Sequence, residues 1–120
     1  MTSLLDGITG DGRGGDPRFP HAPADWSPAL GEQIARREGL DPGEDLWEAV
    51  RALQEYWARH PPGAANLREL HDALDEKFHH KGGMKYLYRL LPGGPVAQGC
   101  RLAGLKAPAG AVDKGFGSVA

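Results

Sequence analysis

Residues 66–104 read NLRELHDALDEKFHHKGGMKYLYRLLPGGPVAQGCRLAG, and this stretch decides the fold. Its first part, from about Asn66 to Phe78, repeats apolar side chains at the spacing of one helical face. That face consists of Leu67, Leu70, His71, Leu74 and Phe78. Gly82-Gly83 interrupts the pattern, so we expect the helix to end before this pair.

Two shorter helices follow the double glycine. The apolar face of the first consists of Met84, Leu87, Tyr88 and Leu91. It stops at Pro92, because proline cannot continue a helix. Pro95 suits the first turn of the next helix, which runs to Ala103, and Gly104 suits its end.

Two further helices precede this stretch. Ser27 is a favourable N-cap and Pro28 suits the first helical position, so the first helix begins there. It ends at Gly39, with Leu30 and Ile34 on one face.

The second helix repeats this start with Asp41 and Pro42, and Pro61-Pro62 ends it. Leu46, Val50, Leu53 and Trp57 recur in it at helical spacing. Across the whole chain we expect these core residues: Trp47, Val50, Leu53, Leu70, Leu74, Leu87 and Leu91.

These elements predict a mainly α fold, of the α+β kind if an N-terminal hairpin forms: an orthogonal array of about five short helices. Residues 1–24 are rich in glycine, proline and aspartate and predict a weakly ordered segment, with room for a short strand or hairpin at Arg18 and Phe19. Residues 25–105 form the helical domain, and residues 106–120 predict a flexible C-terminal arm.

Composition limits the compartment and the partners. The chain of 120 residues has a single cysteine, so no disulfide forms within it, and a lone thiol suits a reducing compartment. The start lacks the pattern of a signal peptide, and no apolar run reaches the roughly 18 residues of a membrane span. We therefore expect a cytoplasmic monomer that does not associate with membranes.

Charge is unevenly distributed along the chain. All but one of the 16 acidic side chains precede Lys77, whereas seven of the 14 lysines and arginines lie at or after that position. The acidic part would repel nucleic acid, and the basic part would attract anions. The basic part is interpreted either as ordinary solvated surface or as a face that docks partners.

Cys100 is the candidate for chemistry. It follows the start of a helix and adjoins Arg101, and both features lower the pKa of a thiol that faces them. The alternative is a small buried apolar residue, which is the usual state of a free cysteine. We expect Cys100 to be at least partly accessible and open to alkylation in the native state.

No cofactor or metal site is predicted. His71 and Asp75 have the i, i+4 spacing of metal ligands, but two ligands do not make a site. The segment Gly12-Arg13-Gly14-Gly15 lacks the flanking strand and helix of a phosphate loop.

The segment from Asn66 to Leu91 is also compatible with a helix-turn-helix, with Lys81, Lys85 and Arg89 at or after the turn. A nucleic-acid-binding regulator with weak binding is therefore the alternative function. The short second helix carries few base-reading side chains, which weakens this alternative.

Two motifs resemble one known family. Lys81 to Pro95, KGGMKYLYRLLPGGP, resembles KGNSKYLY-x-LFP-x-GP, and Ala97 to Leu105, AQGCRLAGL, resembles A-x-Q-x-C-K/R-x-AGLP. Asp25-Trp26 and Leu46-Trp47-Glu48 resemble two upstream motifs of the same family. These are signatures of the DsrC/TusE/DsvC sulfur-relay family, which includes the so-called gamma subunit of dissimilatory sulfite reductase.

The resemblance implies a small N-terminal β-meander packed on a helical array, and this chain departs from the family pattern in that N-terminal part. It also implies a penultimate cysteine that carries sulfur as a persulfide on a flexible arm, and a helix cysteine that bridges to it. Cys100 occupies the helix position. Ala111 stands where the carrier cysteine would be, and Lys106 replaces the first proline of the family's LPKP.

The sequence therefore predicts a variant relay protein that binds sulfur-relay or sulfite-reductase-type partners. Its role is regulatory, or Cys100 alone takes the persulfide. The predicted partner-binding face consists of Lys81, Lys85, Tyr86, Arg89 and Arg101.

Overall fold

A computed structural model describes residues 16–60 and 66–108. Five α-helices are formed: α1 Pro28–Arg37, α2 Glu44–Ala58, α3 Leu67–Lys77, α4 Gly83–Leu90 and α5 Ala97–Ala103. A 3-10 turn, His79–Lys81, joins α3 to α4. The described residues contain no strand, so the mainly α prediction is confirmed.

Three predicted helix ends are confirmed by their capping groups. The Ser27 hydroxyl accepts a hydrogen bond from the Leu30 amide at 3.2 Å, and the Asn66 side chain accepts one from the Glu69 amide at 3.0 Å. Gly104 ends α5 with φ of 77°, a left-handed conformation that glycine adopts without strain.

The predicted start of α2 at Asp41-Pro42 is wrong. The Gly43 amide donates to the Asp41 carbonyl at 2.9 Å, so a tight turn occupies these residues and the helix begins at Glu44. Glu44 and Asp45 then lie in the first turn, where their negative charges interact favourably with the positive end of the helix dipole.

The core lies where α5 crosses α2 and α1, with α4 packed on α3 and α2. Six of the seven predicted core residues are buried: Val50, Leu53, Leu70, Leu74, Leu87 and Leu91. Trp47 is only half-buried, because its neighbour Leu46 occupies the inward position.

On α1 the buried positions are Gly31 and Ala35, so the predicted apolar face of that helix is wrong at Leu30, which is 38% exposed.

Phe19 belongs to the core, although the sequence prediction of the core omits it. Its side chain is 2% exposed and packs edge-on against Trp26 and Trp47, at ring distances of 5.0 and 6.0 Å. The chain turns here, with the Phe19 amide bonded to the Asp16 carbonyl, so the short strand or hairpin at Arg18 and Phe19 does not form.

The remaining sequence expectations fall largely outside the described residues. The weakly ordered segment is described only from residue 16, and the flexible arm only for residues 106–108. None of the helices in the described part of the chain combines the length and the apolar composition of a membrane span.

Candidate functional site

Cys100 lies in the middle of α5 with its side chain 0% exposed. Burial away from water penalises the charged form and raises the pKa of the thiol to about 12. The prediction of a partly accessible thiol with a lowered pKa is therefore wrong for the folded chain. The amide of Cys100 donates to the Val96 carbonyl at 2.8 Å inside the helix.

Close packing of α5 on α2 explains this burial. A methyl group added to Gly99 would come within 2.6 Å of Leu53 Cδ1 and 3.5 Å of Leu91 Cδ1. Gly99 is therefore needed for the contact between these two helices, because Leu53 of α2 fills the space beside it. Leu102 and Ala103, which follow on α5, are also fully buried.

Arg101 binds a carboxylate, and burial is what shifts the pKa of the Cys100 thiol. Its guanidinium donates to both oxygens of Glu38, at 2.7 and 2.8 Å, and the Glu38 side chain is only 4% exposed. Gln98 donates to the same carboxylate at 2.9 Å and accepts from the Gly93 amide at 2.7 Å. The hydrogen bond from Arg101 is the main cause that lowers the pKa of Glu38, and this cluster ties the end of α1 to α5.

Two side chains hold the C-terminal end of α5, from which the arm leaves. Trp26 Nε1 donates to the Leu102 carbonyl at 2.7 Å, and Gln54 Nε2 donates to the Ala103 carbonyl at 3.0 Å. Both donors are buried, so these bonds satisfy carbonyls that the helix itself leaves free. We call Gly104 to Pro108 the arm root.

Lys81 pairs with two carboxylates of α2. Its ammonium lies 2.9 Å from Glu48 Oε1 and 3.7 Å from Asp45 Oδ1, and the Glu48 bond is the main cause that raises the pKa of Lys81. Tyr86 packs inward on Phe78, at a ring distance of 6.1 Å, with its hydroxyl buried. Burial raises the pKa of Tyr86.

The structure therefore separates the five predicted partner-binding residues. Lys81, Tyr86 and Arg101 each contact other elements of the fold. Lys85 and Arg89 lie one helical turn apart on α4, are exposed, and have no ion-pair partner among residues 16–60 and 66–108. These two residues form what we call the α4 face.

Asp75, the second residue of the His71 and Asp75 pair, has a partner within the fold. Asp75 Oδ1 accepts a hydrogen bond from the Met84 amide at 2.9 Å and caps α4 instead. In the described part of the chain, no three metal-binding side chains lie together. Sequence reasoning missed Glu38, Gln54 and Gln98, because an isolated polar residue in a helical pattern does not reveal its partner.

The comparisons with known proteins agree on one family. The model of the family described as "DsrC like protein" matches residues 16–112. The sulfurtransferase TusE of Salmonella paratyphi A is 40% identical over 84 residues, which are 69% of this chain and 76% of that protein. TusE of Yersinia pseudotuberculosis is 39% identical over 85 residues, which are 70% of this chain and 78% of that protein.

A solved structure gives the same result for the fold. The NMR structure of Allochromatium vinosum DsrC superimposes with a TM-score of 0.60 and 38% sequence identity. The match covers 73% of this chain and 79% of that chain.

Proposed function

The chain belongs to the DsrC-like family, and from this premise we propose that it is a sulfur-relay protein that acts by binding relay partners rather than by carrying sulfur. The burial of Cys100 is the observation that carries this proposal. Burial raises the pKa of the thiol to about 12, so the thiolate is rare at neutral pH. The thiolate is the form that attacks a sulfur donor.

The arm supports the same proposal. By the family resemblance, the carrier cysteine would stand at position 111, where this chain has Ala111. A chain that docks in the place of a sulfur carrier, without a thiol on its arm, blocks the partner. We therefore propose a regulatory role, in the cytoplasm that a lone thiol favours.

The α4 face is the proposed docking surface. Lys85 and Arg89 project two positive charges from one side of a helix, and no described carboxylate neutralises them. A partner with acidic residues at its docking site would complement this face.

Two alternatives have less support. A persulfide on Cys100 would require α5 to open from α2, because the closed fold leaves the sulfur no access. For a nucleic-acid-binding regulator, the similar proteins reported above give no support, and of its three basic residues Lys81 is already matched by Glu48 and Asp45.

A competition experiment tests the proposal. A DsrC-like carrier with both cysteines is incubated with the partner that loads it and with radiolabelled sulfur, in the presence of increasing amounts of this chain. We expect this chain to lower the loading of the carrier while staying unlabelled. Labelling of Cys100 at a level comparable with the carrier, or no competition at equimolar concentration, would contradict the proposal.

A charge-reversal variant tests the docking surface. The double substitution Lys85→Glu and Arg89→Glu should weaken the competition, because it would place negative charge against an acidic partner. Arg68→Glu is the control, since Arg68 is exposed on α3 and lies outside the α4 face. Equal loss of competition in the control would rule out the α4 face.

A further inference from the structure

The first turn of α4 takes its cap from another helix. Gly82 and Gly83 stand at the start of α4 with φ of 122° and 65°, and neither has a side chain that could accept a hydrogen bond from the free amides of that turn. Asp75, in the last turn of α3, supplies the acceptor, because its Oδ1 receives the Met84 amide at 2.9 Å. The Gly83 amide donates to the Phe78 carbonyl at 2.8 Å.

The carboxylate of Asp75 and the first turn of α4 are in direct contact. A methyl group added to Gly83 would collide with Asp75 Oδ1, so the absence of a side chain at this position makes room for the carboxylate. The negative charge of Asp75 also lies at the positive end of the α4 dipole. A helix of eight residues is marginal in water by itself, so α4 depends on contacts of this kind.

The two residues of the α4 face differ in their dependence on this cap. Lys85 is the next residue after Met84 and belongs to the first turn of α4, whereas Arg89 lies one turn later. Between them Leu87 is buried in the core and holds the middle of the helix. Loss of the cap would therefore displace Lys85 more than Arg89.

We infer that Asp75 is a positioning residue for the docking surface: through the Met84 amide, it holds the first turn of α4 and so fixes the place at which Lys85 meets an acidic partner. The inference rests on the proposed function and deepens it. It names a residue of α3, outside the α4 face, on which docking depends.

A pair of substitutions at Asp75 isolates the hydrogen bond. Asp75→Ala removes the acceptor, whereas Asp75→Asn keeps an acceptor oxygen and is an equally favourable cap. Both remove the same negative charge, so a difference between the two variants does not come from charge. In the competition assay with the two-cysteine carrier, Asp75→Ala should compete about two- to five-fold more weakly than the wild type, within the factor that the loss of a cap gives. Asp75→Asn should compete like the wild type.

Ser27→Ala is the matched control for a general loss of stability. The Ser27 hydroxyl caps α1 through the Leu30 amide and is exposed, as Asp75 is, but it lies outside α3 and α4. Its removal should leave the competition unchanged.

Double variants show which residue Asp75 acts through. Asp75→Ala should add little to the loss caused by Lys85→Gln, because the side chain that it positions is already absent. Added to Arg89→Gln, the same substitution should have its full effect.

Amide hydrogen exchange measures the cap without any partner. The Leu87 amide reaches back to the first turn of the helix, so its exchange should be about five-fold faster in Asp75→Ala and unchanged in Asp75→Asn.

Four results would overturn the inference while the proposed function stands. The first is wild-type competition by Asp75→Ala, and the second is an equal loss in Asp75→Asn, which would assign the effect to charge. The third is an equal loss in Ser27→Ala, and the fourth is the same effect of Asp75→Ala with Lys85→Gln as with Arg89→Gln. If the wild type itself did not compete, the proposed function would fail and this inference with it, and the exchange data would still report whether Asp75 caps α4.

Discussion

The indole Nε1 of Trp26 donates a 2.7 Å hydrogen bond to the carbonyl oxygen of Leu102, although 76 positions separate the two residues in the chain. The ring also packs against Gly31 of α1 and Gly104 at the end of α5, where an added methyl group would come within 2.7 and 2.8 Å of it. One side chain therefore joins the N-terminal segment, the first helix and the helix that carries Cys100.

Trp26→Phe tests this connection, because it keeps an aromatic ring and removes the donor. The Leu102 carbonyl would be buried without a partner, which should lower the free energy of unfolding by about 1–3 kcal/mol. Urea unfolding measures the change. A loss below about 0.5 kcal/mol would mean that water replaces the indole at this carbonyl.

Most of the helical array could be predicted from the sequence, because caps and breakers are local signals. Ser27, Asn66 and Gly104 act where they were expected. The choice between a buried and an accessible Cys100 could not be made from the sequence, since it depends on the contact of Gly99 with Leu53 in a distant helix. The sharing of Glu38 by Gln98 and Arg101 is likewise a tertiary contact without a local pattern.

Gly99→Ala should destabilise the chain, since the new methyl group would meet Leu53 Cδ1 at 2.6 Å. Overpacking of this kind costs about 1–3 kcal/mol. Gly43→Ala is the matched control, because nothing lies within 4 Å of a methyl group there. Thermal unfolding of both variants measures the difference, and equal stability would show that α5 does not pack closely on α2.

Glu38→Gln tests the buried ion pair with Arg101. The pKa of Glu38 is lowered in the folded state, so the pair stabilises the fold above the ordinary carboxyl pKa and is lost as the pH falls through the folded value. At pH 7 the free energy of unfolding of the variant, measured with urea, should be about 1–3 kcal/mol lower than that of the wild type. Below about pH 4 the variant should lose less stability than the wild type. Glu76→Gln, an exposed change on α3, is the control. If the stability of the wild type and of Glu38→Gln changed with pH in parallel, the ion pair between Glu38 and Arg101 would be contradicted.

Leu87→Ala tests the placement of α4. The side chain is 1% exposed, and its truncation should cost about 2–5 kcal/mol. Leu30→Ala, at a leucine that is 38% exposed, should cost much less. Similar losses in the two variants would mean that the helix faces are assigned wrongly.

The reactivity of Cys100 decides the central claim that this family member binds partners without carrying sulfur. The most direct measurement is alkylation by iodoacetamide over a pH series, followed by mass spectrometry, with the native chain and the urea-unfolded chain side by side. We expect labelling of the unfolded chain only, because the folded thiol is buried and its pKa is about 12. Stoichiometric labelling of the native chain, with an apparent pKa below the free-thiol value of about 8.5, would contradict the claim and return sulfur handling to Cys100.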